Sequence, residues 1–303
     1  MRLLLTSSLC LLAVAQSKLT WDNTKFLIVF GDSYTTTGFN ISAGVNSTDP
    51  GFVSSNGPNW VQNMRDTFNV AGTKVFNLAF GGATIDSKLV TPFEPTVLSV
   101  VDQVAQFKSI LSSKPPGAQW NSSDTLFAIW IGINDVGNAF SFTNTTQPAF
   151  NKILMARLTT QLDELYDLGA RSFLFLTVPP VNRAPLFLVQ GHATTSLLAS
   201  DIANYNLQLA ETVKTFEASH KNSETTVFDT QPIFNTLLDE AKIFGFTNTT
   251  GFCEAYQNGT PALSTQVPPC APVSTYFWLN SLHPLFTVHS ALAHAITTVL
   301  SSV

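Results

Sequence analysis

Phe26-Leu27-Ile28-Val29-Phe30-Gly31-Asp32-Ser33 decides the fold. Five consecutive apolar residues without polar alternation, stopped by a glycine and two polar residues, read as a strand covered on both faces. The pattern returns along the chain. Residues 75–79 run into Gly81-Gly82, residues 126–131 into Gly132, residues 172–178 into Pro179-Pro180, and residues 225–229 form a shorter fifth run. Helical spacing fills the intervals. Val97, Val101, Val104, Phe107 and Leu111 share one face, as do Leu154, Leu158, Leu162 and Leu165, with Gly169 following as a C-cap. Further helices are expected over about residues 196–219 and 288–301, the latter with Val288, Leu292, Ile296 and Val299 as its apolar stripe. Strands alternating with helices predict a doubly wound α/β/α sandwich around five parallel strands. In such folds chemistry gathers outside the C-terminal ends of the strands.

Composition narrows the class. The chain has 303 residues, 45% hydrophobic and only 12% charged, with a net charge of −5. That apolar content excludes disorder, and the acidic balance without a basic run argues against nucleic acid or an anionic membrane surface as partner. Met1-Arg2, the apolar stretch to Val14 and the small-residue site Ala13-Val14-Ala15 read as a cleaved secretory signal peptide over residues 1–15. No repeat or linker divides residues 16–303, which read as one domain. Cleavage removes Cys10, and in an oxidising compartment the remaining Cys253 and Cys270 read as one disulfide. Six N-x-[ST] sequons, at Asn40, Asn46, Asn121, Asn144, Asn248 and Asn258, add the expectation of a glycosylated, extracellular protein. No metal or cofactor is expected, and neither is stable membrane association; a monomer is expected.

The residues after each strand are the search list. Ser33 follows the first strand, where a helix could begin; Gly81-Gly82-Ala83-Thr84 follows the second, and Gly132-Ile133-Asn134-Asp135 the third. Asn280-Ser281-Leu282-His283-Pro284 precedes the last helix. Each alone reads as a turn or a cap. His192, His220, His289 and His294 read as structural or surface residues.

Together, in order and spacing over nearly the whole mature chain, these four sites resemble the motif blocks of the SGNH/GDSL hydrolase superfamily. The resemblance implies a flavodoxin-like three-layer α/β/α sandwich with a five-stranded parallel sheet. It also implies Ser33 as nucleophile, His283 as general base, and an oxyanion hole from the N–H groups of Ser33 and Gly82 with the Asn134 amide. Gly57-Pro58-Asn59-Trp60 and the segment Phe244-Gly245-Phe246-Thr247-Asn248-Thr249 look like accessory segments of eukaryotic GDSL esterases. One position departs from the family. Its last block usually reads Asp-x-x-His, and here the orienting position holds Asn280. An amide can accept the Nδ1 proton but contributes no charge, which leaves three accounts: a Ser–His dyad oriented by Asn280 or a main-chain carbonyl, an acid from elsewhere, or a weakened enzyme, the first being favoured. Ester hydrolysis needs these residue types: a hydroxyl, a base to take and return its proton, and donors aimed at the oxyanion. The G-x-S-x-G, H-E-x-x-H and S-x-x-K signatures are absent.

Within the superfamily the chain looks most like the fungal family-16 carbohydrate esterases. That likeness implies a secreted serine acetylesterase acting on acetylated hemicellulose oligosaccharides or other small acetyl esters. A lipase or lysophospholipase acting on longer acyl chains is the alternative within the same chemistry. A non-catalytic carbohydrate-binding protein is the alternative outside it.

Overall fold

Every one of the five apolar runs becomes a strand. In the computed structural model, which describes residues 18–302, β1 is Phe26–Gly31, β2 Lys74–Asn77, β3 Thr125–Trp130, β4 Ser172–Leu176 and β5 Glu224–Phe228. The signal peptide expected over residues 1–15 lies outside the described residues. All pairings are parallel, in the order β2-β1-β3-β4-β5. The central strands β3 and β4 are buried along their whole length, whereas the edge strand β5 is largely half-buried. Continuous hydrophobicity thus marks the middle of the sheet, and the Thr-rich fifth run marks its edge.

Among the described residues eight α-helices follow in chain order: α1 Trp60–Asp66, α2 Val100–Gln106, α3 Ile133–Ala139, α4 Gln147–Asp167, α5 Pro185–Leu188, α6 His192–Ser219, α7 Gln231–Asp239 and α8 Phe286–Ser301. α1, α7 and α8 pack together on one face of the sheet, and α2, α4 and α6 on the other. In α4, the residues Leu154, Leu158, Leu162 and Leu165 are all buried, and Gly169 (φ +109°) follows the helix end as expected. The stripe of α2 continues through a wider π-type turn over Phe107–Leu111, which buries Phe107 and Leu111. α6 starts four residues before the expected position. α8 starts at Phe286 and buries Val288, Leu292, Ile296 and Leu300, while Val299 points outward. The stripe therefore ends one residue later than the sequence suggested, as 3.6-residue periodicity from Ile296 requires.

Under the C-terminal ends of β1 and β3 lies an aromatic cluster. Trp130 packs edge-on against Tyr34, Trp60 and Phe234, and also against the buried His289. Fully buried side chains of this size contribute about 1.5–3 kcal/mol each. The cluster gives the loops above it a rigid floor. A second, smaller core of Cys253, Tyr256, Val273, Tyr276, Leu279 and Leu285 supports the approach to α8. It is closed by the expected Cys253–Cys270 disulfide. Leu279 and Leu285 flank His283, so this satellite core anchors both ends of the loop that carries the imidazole.

Candidate active site

The first strand delivers Ser33 on a single tight turn. The N–H groups of Thr35 and Thr36 donate to Asp32 O (3.0 and 2.9 Å), and the chain then leaves helical geometry. The three consecutive threonines Thr35, Thr36 and Thr37 followed by Gly38 explain why the expected helix does not continue, since β-branched residues and glycine propagate a helix poorly. Gly31 is required by space: a Cβ there would lie 2.5 Å from the main-chain oxygen of Trp130. The turn is pinned from below by amides. Asn59 Nδ2 donates to Thr35 O and Thr36 O (2.9 Å each), Asn77 Nδ2 to Thr35 O (2.7 Å), and Trp60 Nε1 to Thr35 Oγ1 (3.2 Å). Asn59 also caps α1 through a reciprocal box with Gln62. The Gly57-to-Trp60 segment is therefore the clamp on the Ser33 turn.

Loops after β2 and β3 are joined to each other. Asn134 Nδ2 donates to Ala83 O (2.9 Å), and Ile85 N–H donates to the Asp135 carboxyl (3.1 Å to Oδ1). Gly82 is buried with φ +80°, a backbone conformation that suits glycine, whereas Gly81 has open space at its Cβ position. Phe80 N–H donates to Gly31 O (3.0 Å), which ties this loop to the Ser33 turn. Neither Ser33 N–H nor Gly82 N–H is bonded to another described residue, and Asn134 keeps its second amide hydrogen. Three donors on joined loops remain free.

The last loop brings in the imidazole from 250 residues away. His283 Nε2 lies 2.8 Å from Ser33 Oγ, and His283 Nδ1 lies 2.9 Å from Asn280 Oδ1. Asn280 Oδ1 also accepts the main-chain N–H groups of Leu282 (3.1 Å) and His283 (3.0 Å). Those two donors decide which way the amide faces, because a flipped Asn280 would point its NH2 at two N–H groups. The amide oxygen therefore accepts Nδ1–H, which leaves Nε2 unprotonated to accept the Ser33 hydroxyl. Tyr34 Oη donates to Leu282 O (2.5 Å) and holds the same loop from beneath. From the other side, Phe277 N–H donates to Asn248 O and Trp278 Nε1 to Thr249 O, so the segment from Phe244 to Thr249 braces the strand-like stretch leading to His283.

Burial pushes His283 down to about 4, with no carboxylate beside it to oppose the desolvation. Asp32 is raised to about 7 by burial, against the donated N–H of Tyr34 and helped by the charge of Asp135. Asp135 is raised to about 7 by burial, against the Ile85 N–H. Of the remaining histidines, His289 is buried and lowered to about 3 by burial and by His283. His192 and His294 are exposed, and His220 pairs with Asp163. The structure thus brings Ser33, His283 and Asn280 into one hydrogen-bonded line. Gly82 and Asn134 are linked through Ala83. The sequons scatter over the surface, with Asn248 half-buried and the other five exposed. Sequence reading missed Tyr34, Asn77 and Asp135, which touch the site's loops rather than a reacting atom. Adjacency to Ser33 and Asn134 was the only signal for two of them.

Such a line can move a proton from a hydroxyl to an imidazole while nearby N–H groups receive an oxyanion, which is the apparatus of acyl transfer. Known proteins agree. Residues 27–296 match the GDSL-like lipase/acylhydrolase family. An acetylesterase of Thermothelomyces thermophilus is 35% identical over 288 residues, covering 90% of this chain and 87% of that protein. A GDSL esterase/lipase of Arabidopsis thaliana is 30% identical over 228 residues, covering 68% of this chain and 62% of the plant protein. Among solved structures, a variant of an acetyl-xylooligosaccharide esterase of Geobacillus stearothermophilus shares the fold with a TM-score of 0.51 at 18% identity, covering 91% of this chain and 94% of that one. With its α/β/α sheet, its strand-end loops and these relatives in view, the chain belongs to the GDSL-like lipase/acylhydrolase family and is a carboxylic ester hydrolase.

Proposed function

We propose that the protein is a secreted acetylesterase that hydrolyses acetyl esters of carbohydrates through a covalent acetyl-enzyme on Ser33. The observation that carries the reading is the unbroken line from Ser33 Oγ through the His283 ring to Asn280 Oδ1, at 2.8 and 2.9 Å. Its acetyl preference is supported by the acetylesterase relative, which the chain matches over most of its length.

In the first half-reaction Ser33 Oγ attacks the acetyl carbonyl carbon as its proton passes to His283 Nε2. The carbonyl oxygen becomes an oxyanion received by Ser33 N–H, Gly82 N–H and the free amide hydrogen of Asn134. His283 then gives the proton to the sugar oxygen, the C–O bond breaks, and the alcohol leaves. In the second half, His283 takes a proton from water, which attacks the acetyl-Ser33 carbonyl. The resulting intermediate collapses to acetic acid as His283 returns the proton to Ser33, and the acid then ionises to acetate. Asn280 holds the ring in the tautomer that both halves need, without adding charge.

Replacing Ser33 by Ala tests the reading. The variant should fold with the melting temperature of the native protein and lose hydrolysis of ethyl and sugar acetates by at least about 10³-fold. Hydrolysis at the native rate by that variant would overturn the assignment. An acyl-chain series on the native enzyme separates the carbohydrate reading, which requires acetate over butyrate and octanoate, from a long-chain lipase.

A further inference from the structure

One large apolar side chain at the site has no role in the mechanism above. Phe93 is 74% exposed, on a loop whose neighbouring residues Thr91, Glu94, Pro95 and Thr96 are exposed too. Yet its ring is not free in solvent on all sides. A Cβ built on Gly82 would lie 2.2 Å from Phe93 Cε1 and 2.6 Å from Cδ1, so the ring edge rests directly on the glycine. Pro92 and Pro95 bracket the ring, and their fixed φ angles stiffen the loop that presents it. An aromatic ring, three-quarters exposed and with its edge against Gly82, therefore sits at the rim of the proposed oxyanion hole. The adjoining Phe80 is partly exposed on the same loop as Gly82.

We propose that Phe93 is a specificity residue whose exposed face is the platform on which the sugar ring of the ester lies. The inference rests on the carbohydrate-ester reading and deepens it. Geometry and chemistry choose between the two ends of the substrate. With the oxyanion in its hole, the leaving oxygen must come within hydrogen-bond reach of His283 Nε2, and the acyl substituent takes the remaining direction. An acetyl methyl is small and gains from an enclosing hollow, which a ring three-quarters open to solvent does not provide. An alcohol portion that projects from the site needs an open apolar surface, which the ring does provide. The faces of a pyranose are lined with C–H groups carrying slight positive charge, and these suit the negative face of an aromatic ring. The contact of the ring edge with Gly82 and the proline-bracketed backbone reduce the ordering that stacking requires.

The test is a ratio of specificity constants. The native enzyme and Phe93→Ala are compared on an acetylated xylo-oligosaccharide and on ethyl acetate, an ester with no ring to stack. The ratio of the two kcat/KM values should fall about tenfold in the variant, chiefly through KM for the oligosaccharide, and Phe93→Trp should restore it. An unchanged ratio would overturn the proposal, as would equal loss on both esters, which would make Phe93 a mere support for Gly82. A raised preference for ethyl butyrate over ethyl acetate in Phe93→Ala would also overturn it, by making the ring a wall against longer acyl chains. A native enzyme that hydrolyses ethyl acetate but no acetylated oligosaccharide would refute the carbohydrate reading and the platform together. An active native enzyme with an unchanged ratio would refute the platform alone.

Discussion

Replacing Asn280 by Asp tests how the imidazole is oriented and how its basicity is set. Asn280 Oδ1 lies 2.9 Å from His283 Nδ1 and accepts two main-chain N–H groups at 3.0 and 3.1 Å. The same two donors would hold an introduced carboxylate in its ionised form. A unit charge about 4 Å from the centre of an imidazolium is worth roughly 1 kcal/mol at a water-like dielectric and roughly 4 kcal/mol at an effective value near 20. Both residues are half-buried, so the interaction falls between those limits. At about 1.4 kcal/mol per pKa unit, His283 should rise by roughly 1–3 units. With His283 lowered to about 4 by burial, the acid limb of kcat/KM should stand near 4 in the native protein. In Asn280→Asp it should stand at roughly 5–7. If about half of the imidazolium charge has developed in the transition state, the plateau rate should rise roughly 3- to 30-fold. The assay is release of para-nitrophenol from its acetate between pH 3 and 9, read after an alkaline quench. An acid limb that does not move would show that Asn280 does not touch the working base. A gain approaching 10⁴, the size of the tautomer penalty in serine proteases, would show that the native amide presents its NH2 to the ring. That outcome would refute the orientation argued from the Leu282 and His283 N–H groups.

Asn134→Ala should lower kcat by roughly 10²–10³ with little change in KM, the usual cost of one oxyanion donor; a loss below threefold in steady-state kinetics would remove Asn134 from the hole. Asp32→Asn should change how stability depends on pH. Burial raises Asp32 to about 7, so the folded state holds a proton that the unfolded chain releases. The stability this contributes is full below the ordinary carboxylate value and is lost as pH rises through 7, amounting to at most about 4 kcal/mol. The variant's melting temperature relative to the native protein should therefore climb from pH 4 to pH 8, and a constant difference would contradict the shift. Glycopeptide mapping of protein secreted by a eukaryotic host should find sugar on the five exposed sequons and least at the half-buried Asn248, whose Oδ1 accepts Thr250 and Gly251 N–H groups; full occupancy at Asn248 in active protein would refute this.

What was legible in the sequence follows the number of residues that repeat a physical constraint. The buried strands and the long helices α4, α6 and α8 each offer several apolar positions at regular spacing, so their pattern stands out from chance. α1, α3 and α7 span seven to nine residues, and α3 contains Gly137 and two asparagines; two turns give too few positions to show a period. Ser33, Gly82 and Asn134 were legible because each follows a strand, and Asn280 and His283 because their segment leads into the last helix. What aligns them was not. Asn59, Asn77 and Tyr34 act on main-chain carbonyls of the neighbouring turns, and no spacing rule connects Asn77 to Thr35 across 42 residues. Contacts of that kind depend on where the sheet places the loops, so they become visible only once the sheet is built.

The low charge that marked the composition reaches into this machinery. Amides of Asn59, Asn77 and Asn134 fasten the strand-end loops, and an amide again orients His283. Neutral hydrogen bonds are individually weaker than ionic ones, but burying them avoids the desolvation cost of unpaired charge. The choice at Asn280 has a functional consequence. A carboxylate would strengthen the base but raise its pKa, so the imidazole would be protonated in mildly acid medium and unable to accept the Ser33 proton. With an amide the ring stays neutral down to about 4, and nothing in the line from Ser33 to Asn280 titrates between there and neutrality. On the proposed mechanism, the arrangement gives up imidazolium stabilisation in exchange for a base that would remain neutral in mildly acid medium. The Asn280→Asp variant should accordingly outperform the native enzyme near pH 8 and fall behind it near pH 4.5, and profiles that do not cross would refute the trade-off.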